Sequence, residues 1–480
     1  MSEEIAVSTD WQNLLATMTK MVGGGQAPEV SLSAKDDVIS KKIKPIAPDD
    51  SQLANRWLDE NPDMVWGQGE WRLYANGIYE RREDDAVRFS IKSVMDNARY
   101  EGVKPSKFVL NSIAELARLE RVVPADKWDS NLDYIVFRNG AYNISTDTLE
   151  SHRRDLYATS LVDCDFDRQA SGDYFDRIVR ERLGDEKAEF LQEFAGLCFT
   201  PDTRHEIALW LVGARGAGKS TIINAIKDTL GKRAGTLSLS DIERSQFGLN
   251  NIQGRTLLTS TEQPKEKYIR ATDVINRLIS GEWQRIEHKH KDAYDIKPIA
   301  KILWSMNTTP KVTDSADGIF RRIKIVTFPA LPAAQIDVDL KERLEHEKSG
   351  IVNWCIEGLF RLRARGKFLI PKAVAADTDA YLNECDYAKH FLLDSGAVIV
   401  TDERRLDKEF AIQAQMLYDK YYDYMKRNGH IPVGSNLMAR EWERLGLVRG
   451  DRGAGGYVWH GITFDPVLVA KIKADKTVSV

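Results

Sequence analysis

Cysteine is scarce: Cys164, Cys198, Cys355 and Cys385 are the four in 480 residues. None has a C-x-x-C neighbour, which argues against a structural zinc and fits a reducing cytosol. Long apolar runs are missing as well. None approaches the roughly 18 residues that cross a bilayer, so no membrane partnership is expected. The N-terminus, MSEEIAVSTDWQ, carries acids where a secretory leader carries bases, and the expected location is the cytoplasm. Positive charge is not in excess either. Sixty-eight Lys and Arg face 72 Asp and Glu, a net −4, so there is no global basic field and any nucleic-acid contact has to be local.

What is present is a soluble, globular composition, 42% hydrophobic and 29% charged. The chain is too long for one ordinary core, and about 150 residues per domain predicts three. Its organising stretch is LWLVGARGAGKSTIINAIKDTLG, residues 209–231. Gly213, Ala214, Arg215, Gly216, Ala217, Gly218, Lys219 and Ser220 match the phosphate-binding P-loop pattern in full. A β-prone run precedes the loop, and a helical pattern that starts with Thr221 and stops at a glycine follows it. The chemistry needs each part. Glycines let backbone amides approach a triphosphate, the helix N-terminus adds positive potential, Lys219 reaches the β and γ phosphates, and Ser220 can hold Mg²⁺. ATP and Mg²⁺ are therefore the expected cofactors.

An NTPase also needs a second strand ending in an acid. Arg255 to Thr261 is apolar and β-branched, and Glu262 stands at its end, placed to orient water and help Ser220 hold the metal; Thr261 replaces the usual preceding Asp. A third strand, KILWSMN, ends in Asn307, suited to polarise the attacking water or sense the γ phosphate. Arg321 and Arg322, in DGIFRRIKIVTF, precede a last strand, and either could be offered as an arginine finger to a neighbouring subunit. Between Glu262 and Asn307, WQRIEHKHKDAYDIKP alternates like a hairpin. His288, Lys289, His290 and Lys291 lie near its tip, where the lysines favour phosphate over a metal ion.

Along the chain, residues 1–50 read as a flexible segment. Within it Trp11, Leu14, Leu15 and Met18 share one face of a short amphipathic stretch, a docking element or a frayed end. An α+β domain is expected at 51–170, with turns at Asn76-Gly77 and Asn139-Gly140. Its Trp66, Trp71 and Tyr74 are read as core rather than as base-stacking residues. A helical collar at 171–205, an α/β motor at 206–380 and a winged-helix-like domain at 381–480 follow. Spacing alone leaves open whether that last domain touches DNA or another subunit.

The order GARGAGKS, RTLLTSTE, ISGEWQRIEHKHKD, ILWSMNTTP and GIFRRIKIVTF resembles the superfamily 3 helicases of viruses, phages and plasmids. Within them it most resembles the helicase half of the poxvirus and phage/plasmid primase-helicase family. NRWLDENPDMVWGQGEWRLYANGIYE and FRNGAYNISTDTLESH resemble that family's domain ahead of the motor, so the likeness covers about residues 50–465. It implies a multidomain α/β fold around an AAA+ type P-loop core. The implied activity is ATP-driven: a hexameric self-assembled ring that threads single-stranded DNA and unwinds forks. By position it implies Lys289 for the pore hairpin, Asn307 for the sensor and Arg322 for the finger, with Arg321 as rival. No clustered acids or zinc motif of a primase precede residue 170, so primer synthesis is expected from a separate primase or replication protein. The resulting expectation is a replicative DNA helicase of a mobile element; the alternative is a ring ATPase that remodels nucleoprotein without processive unwinding.

Overall fold

The computed structural model describes residues 47–244, 249, 252–261, 268–269, 271–286, 294–312, 317–332, 339–452 and 456–474. The amphipathic stretch at 10–22 lies outside them. The chain opens with α1 (Asp50–Glu60), started by a capping box in which Asp49 and Gln52 each bond the other's backbone amide. Strands β1 (Met64–Gly67), β2 (Glu70–Ala75) and β3 (Ile78–Arg82) form an antiparallel sheet. Asn76 and Gly77 turn between the last two at φ 51° and 85°, as a two-residue hairpin requires. Helices α2 (Asp84–Asn97) and α3 (Lys107–Glu120) close over Leu53, Trp57, Trp71, Ile91 and Ile113. Trp71 is core, edge-on to Trp57 at 5.1 Å. Trp66 and Tyr74 are half-buried, each with an arginine over its ring.

A second antiparallel sheet follows, of β4 (Tyr134–Phe137), β5 (Gly140–Asn143) and β6 (Thr148–Glu150). Its Ile135, Phe137 and Tyr142 pack into the same cluster as the next two helices, α4 (Asp173–Leu183) and α5 (Asp185–Leu197). The stretch read as one unit, 51–170, thus holds two sheets with different cores.

The central sheet is wholly parallel. Its strands in chain order are β7 (Ala208–Gly213), β8 (Ala234–Thr236), β9 (Leu257–Ser260), β13 (Lys301–Met306) and β15 (Ile323–Phe328). In space they run β15-β7-β13-β9-β8. Helices α6 (Lys219–Leu230), α7 (Leu239–Arg244), α8 (Thr272–Ser280) and α9 (Asp317–Arg322) lie between them in sequence. So do the short strands β10 (Tyr268–Ile269), β11 (Gln284–Ile286), β12 (Tyr294–Ile296) and β14 (Lys311–Val312). The continuous apolar run ALWLVG is explained by burial on both faces. Leu209 and Leu211 join the cluster that includes α5 and α6, whereas Ala208 and Trp210 join the opposite one with α8, the period of two that a strand dictates. Lys301, at the start of β13, is fully enclosed, bonds the carbonyls of Thr200 and Ile299, and has its ammonium pushed down to about 8 by burial.

After the sheet come α10 (Leu340–His346) and α11 (Lys348–Arg365). The latter is seated on α5 so closely that backbone meets backbone. A Cβ on Gly196 would lie 2.2 Å from the Cys355 carbonyl oxygen, and one on Gly358 2.4 Å from that of Gln192. Polar groups seal the seam: Gln192 donates to the Trp354 carbonyl at 2.7 Å and accepts from Arg361 at 2.6 Å, and buried Glu193 is paired with Arg361 and Arg365. Gly196→Ala is therefore expected to destabilise the protein by about 1–3 kcal/mol, the range for overpacking. The check is a lower urea midpoint at unchanged slope.

Helix α12 (Lys372–Cys385) begins behind Pro371. Its Tyr381 hydroxyl donates to the Pro310 carbonyl at 2.7 Å, and the ring lies 5.6 Å from Trp210. The boundary read at 381 falls inside this helix, because Tyr381 is pinned to the sheet. The separate C-terminal cluster starts at Tyr387. It is built on α13 (Tyr387–Asp394), β16 (Val398–Ile399), β17 (Ala411–Gln413), α14 (Ala414–Arg427), α15 (Ser435–Arg444), β18 (Val448–Arg449), β19 (Val458–His460) and β20 (Ile462–Thr463), followed by α16 (Pro466–Ala474). Strands β17, β19 and β18 make one small antiparallel sheet, and β16 with β20 another. All four cysteines are free. Among the described residues no helix is long and apolar enough to cross a membrane.

Candidate functional site

Chain order and spatial order together locate the site. From β7 the chain crosses to β8 at the far edge, returns through β9 and β13 to β7's side, and then sets β15 on β7's other flank. Open parallel sheets bind ligands at the carboxyl ends of their strands where the order reverses in this way. Those ends carry the loop after Gly213, the segment after Ser260 and Asn307 after Met306.

The loop reaches α6 through Gly218, the residue before the helix, at φ 89°. That left-handed geometry is open to glycine and strained for a side chain with Cβ. It turns the chain so that Lys219 starts α6 with its side chain folded back over the strand end. The Lys219 ammonium donates to the Gly213 carbonyl at 2.7 Å, the Ala214 carbonyl at 2.8 Å and Asn307 Oδ1 at 3.3 Å. Burial pushes its pKa down. Ala214, Arg215, Gly216 and Ser220 are exposed, Ala217 is buried, and Thr221 is half-buried in the first turn of α6. Residues 88 apart in sequence, Lys219 and Asn307, thus share one hydrogen bond.

Glu262 lies outside the described residues; β9 ends two residues earlier, and Thr261 is exposed. His288, Lys289, His290 and Lys291 lie outside them as well. The strands that flank them, β11 and β12, do pair antiparallel, from Gln284 with Ile296 to Ile286 with Tyr294. At their base the Tyr294 hydroxyl donates to Gln253 at 2.7 Å, and Gln253 donates to Gln68 at 2.7 Å in the β1–β2 turn.

The two arginines differ in setting. Arg322 is half-buried, donates to the Gly318 carbonyl at 3.0 Å, and is paired at 2.7 Å with Glu206, just ahead of β7. Arg321 is exposed and forms no ion pair among the described residues. Glu206 had no signal in the sequence, since its partner lies 116 positions away in another element. Among the described residues no group of three His, Cys, Asp or Glu could hold a metal ion.

Fold and site define a mixed α/β, multidomain protein whose parallel sheet gathers a lysine-bearing glycine loop and an asparagine at its carboxyl edge. Residues 51–184 match the model described as D5 N terminal like, and residues 211–322 match a family of unknown function, DUF5906. Over 242 residues, 47% of this chain, the sequence is 26% identical to the protein named "Putative helicase 121R" of Invertebrate iridescent virus 3. The matched part is 26% of that relative's length. These matches agree with the likeness to the phage and viral primase-helicase family read from the motifs. Among solved structures, the apo C-terminal region of NrS-1 (305–718) aligns with 87% of this chain and 100% of its own at 10% identity, with a TM-score of 0.48. Another apo form of that region aligns over 86% and 98% at 11% identity, with a TM-score of 0.46.

Proposed function

We propose that the chain is an ATP-dependent replicative DNA helicase of a phage, plasmid or other mobile element, acting as a self-assembled hexameric ring on single-stranded and forked DNA. The observation that supports it most is the Lys219 ammonium, held by loop carbonyls and Asn307 at the strand ends where a triphosphate would lie. A γ phosphate placed there would exchange weak carbonyl partners of the lysine for charged oxygens, a stronger bond. Ser220 stands exposed in the first turn of α6, so its hydroxyl can be one protein ligand of Mg²⁺. Glu262, two residues after the end of β9 in the sequence, is assigned as the accompanying carboxylate. The metal fits this site only together with phosphate oxygens, since no protein ligand trio exists among the described residues; bound there, it would neutralise phosphate charge.

The α/β core is read as AAA+ type, and the helix, helix and hairpin order of α14, α15 and β18–β19 supports a winged-helix-like end to the chain. Lys289, with His288, His290 and Lys291, is assigned to the threaded strand's phosphates on the pairing of β11 with β12. The test is strand displacement on forked DNA, measured beside ATP turnover with and without single strands. Displacement that needs ATP supports the proposal. Stimulated turnover without displacement would replace the helicase by the nucleoprotein-remodelling ring.

Arg321 is the better-placed finger, because Arg322 is already occupied by Glu206 within its own subunit. Arg321→Ala is expected to stop ATP turnover, and mixing it with Lys219→Ala subunits is expected to restore part of it, since mixed interfaces pair a sound loop with a sound guanidinium. Rescue with Arg322→Ala but not Arg321→Ala would reverse the assignment.

A further inference from the structure

Three elements far apart in sequence meet at the root of the β11–β12 pair. Tyr294 is the first residue of β12, three positions after Lys291. Its hydroxyl donates to Gln253 at 2.7 Å, and the Gln253 amide donates to Gln68 at 2.7 Å. Burial pushes the Tyr294 hydroxyl up to about 12, so at neutral pH it keeps its proton and donates. The bonds therefore run one way, from the hairpin through the loop ahead of β9 to the turn between β1 and β2.

The far end of this chain of bonds is firmly seated. Gln68 and Gly69 are both left-handed, at φ 56° and 78°, and a Cβ on Gly69 would lie 3.5 Å from the Tyr294 ring. In the loop, Gly254 sits at φ 66°, and a Cβ there would lie 2.3 Å from Thr159 Oγ1. Asp129 holds Thr159 through its amide at 2.8 Å and its hydroxyl at 2.6 Å, and Ser160 donates to the Gly254 carbonyl at 3.0 Å. Gln253 is thus presented from a loop clamped to the N-terminal part of the chain. The hairpin has less to fix it. Among the described residues β11 and β12 are three residues each and pair with no other strand, and a lone two-stranded pair is marginal by itself. Ile286 and Ile296 bury in the cluster that holds Trp210, but apolar burial is non-directional. Hydrogen bonds have preferred angles and give direction.

We propose that Gln253 is a positioning residue: by linking Tyr294 to Gln68 it holds the β11–β12 hairpin in one orientation against the N-terminal sheet, ready for single-stranded DNA. This rests on the reading that the hairpin meets the threaded strand. A hairpin released from the link spends part of its time turned away, and its apparent affinity for DNA falls with the fraction left in place.

The test is steady-state ATP turnover of the full chain titrated with oligothymidylate. Wild type is compared with Gln253→Leu, Tyr294→Phe, their double variant and Lys289→Ala. Gln253→Leu and Tyr294→Phe are each expected to raise the half-saturating oligothymidylate concentration about fivefold, the scale of one neutral hydrogen bond. Basal turnover and the DNA-saturated maximum should stay within about twofold of wild type, because the hairpin is displaced and not removed. The double variant should lose no more than either single, since one link is cut twice. Gln253→Glu alone keeps the acceptor for Tyr294 and loses the donor to Gln68; adding Gln68→Lys should bring half-saturation back to within about twofold of wild type. Unchanged half-saturation in Gln253→Leu, additive losses in the double variant, or no recovery with Gln68→Lys would each overturn the proposal. So would a fall in the saturated maximum without a shift in half-saturation, the mark of a general loss of structure. In those cases abolished stimulation in Lys289→Ala would leave the reading of the hairpin standing. If oligothymidylate failed to stimulate wild type, or stimulated Lys289→Ala equally, that reading itself would fail, and the role of Gln253 with it.

Discussion

Lys219→Ala is expected to raise the dissociation constant for ATP by about 10² to 10³, because it removes a cation held at the strand ends. Breaking a partly buried charge pair costs about 3–5 kcal/mol, and every 1.4 kcal/mol is tenfold in affinity. The fold should survive. Burial already disfavours the ammonium, as the lowered Lys219 pKa records. The two carbonyls it leaves, on Gly213 and Ala214, sit at a loop whose next residues are exposed, where water can replace the donor. Calorimetry with ATP, run beside a thermal melt, separates the two effects. Unchanged affinity would remove Lys219 from the site.

Glu262→Gln is expected to lower ATP turnover by a factor of about 10² or more while ATP affinity stays within a fewfold, the pattern for loss of a general base. The amide keeps the size of the carboxylate and can still accept a hydrogen bond from water, but it cannot take the proton. The assignment rests on where strand β9 ends. Strand β9 is parallel to β13 and paired with it from Leu257 opposite Lys301 to Ser260 opposite Trp304. The chain leaving Ser260 therefore emerges on the same edge as Asn307 and the glycine loop. Single-turnover hydrolysis on preformed nucleotide complex is the measurement. Near-normal turnover would assign the base elsewhere.

How much of this was legible in the sequence depended on range. The loop from Gly213 to Ser220 is contiguous, so its pattern carries its own geometry. The place of Asn307 at a strand end was legible because a buried parallel strand writes itself as an apolar run, KILWSM, and its end can be read. Strand β8 was missed: Ala-Gly-Thr is three residues with no periodicity, held in the sheet by β9. The Arg322–Glu206 pair and the Gln253–Gln68 bond were invisible for the same reason. Each joins elements separated by more than a hundred residues, and local pattern is blind to which face meets which. The boundary read at 381 falls inside the helix Lys372–Cys385 because the contacts that tie Tyr381 to the sheet, with Pro310 and Trp210, come from residues far away in sequence.

The backbone-to-backbone seam between α5 and α11 has a mechanical consequence. One helix enters the central sheet and the other leaves it, so the seam fastens the chain's approach to its exit. A joint with no side-chain cushion between its two helices, flanked by Gln192, Glu193, Arg361 and Arg365, has little compliance. Any strain generated at the strand ends then cannot be absorbed there. It is then expected to appear as displacement in elements outside the seam, such as the β11–β12 pair and the C-terminal cluster that starts at Tyr387.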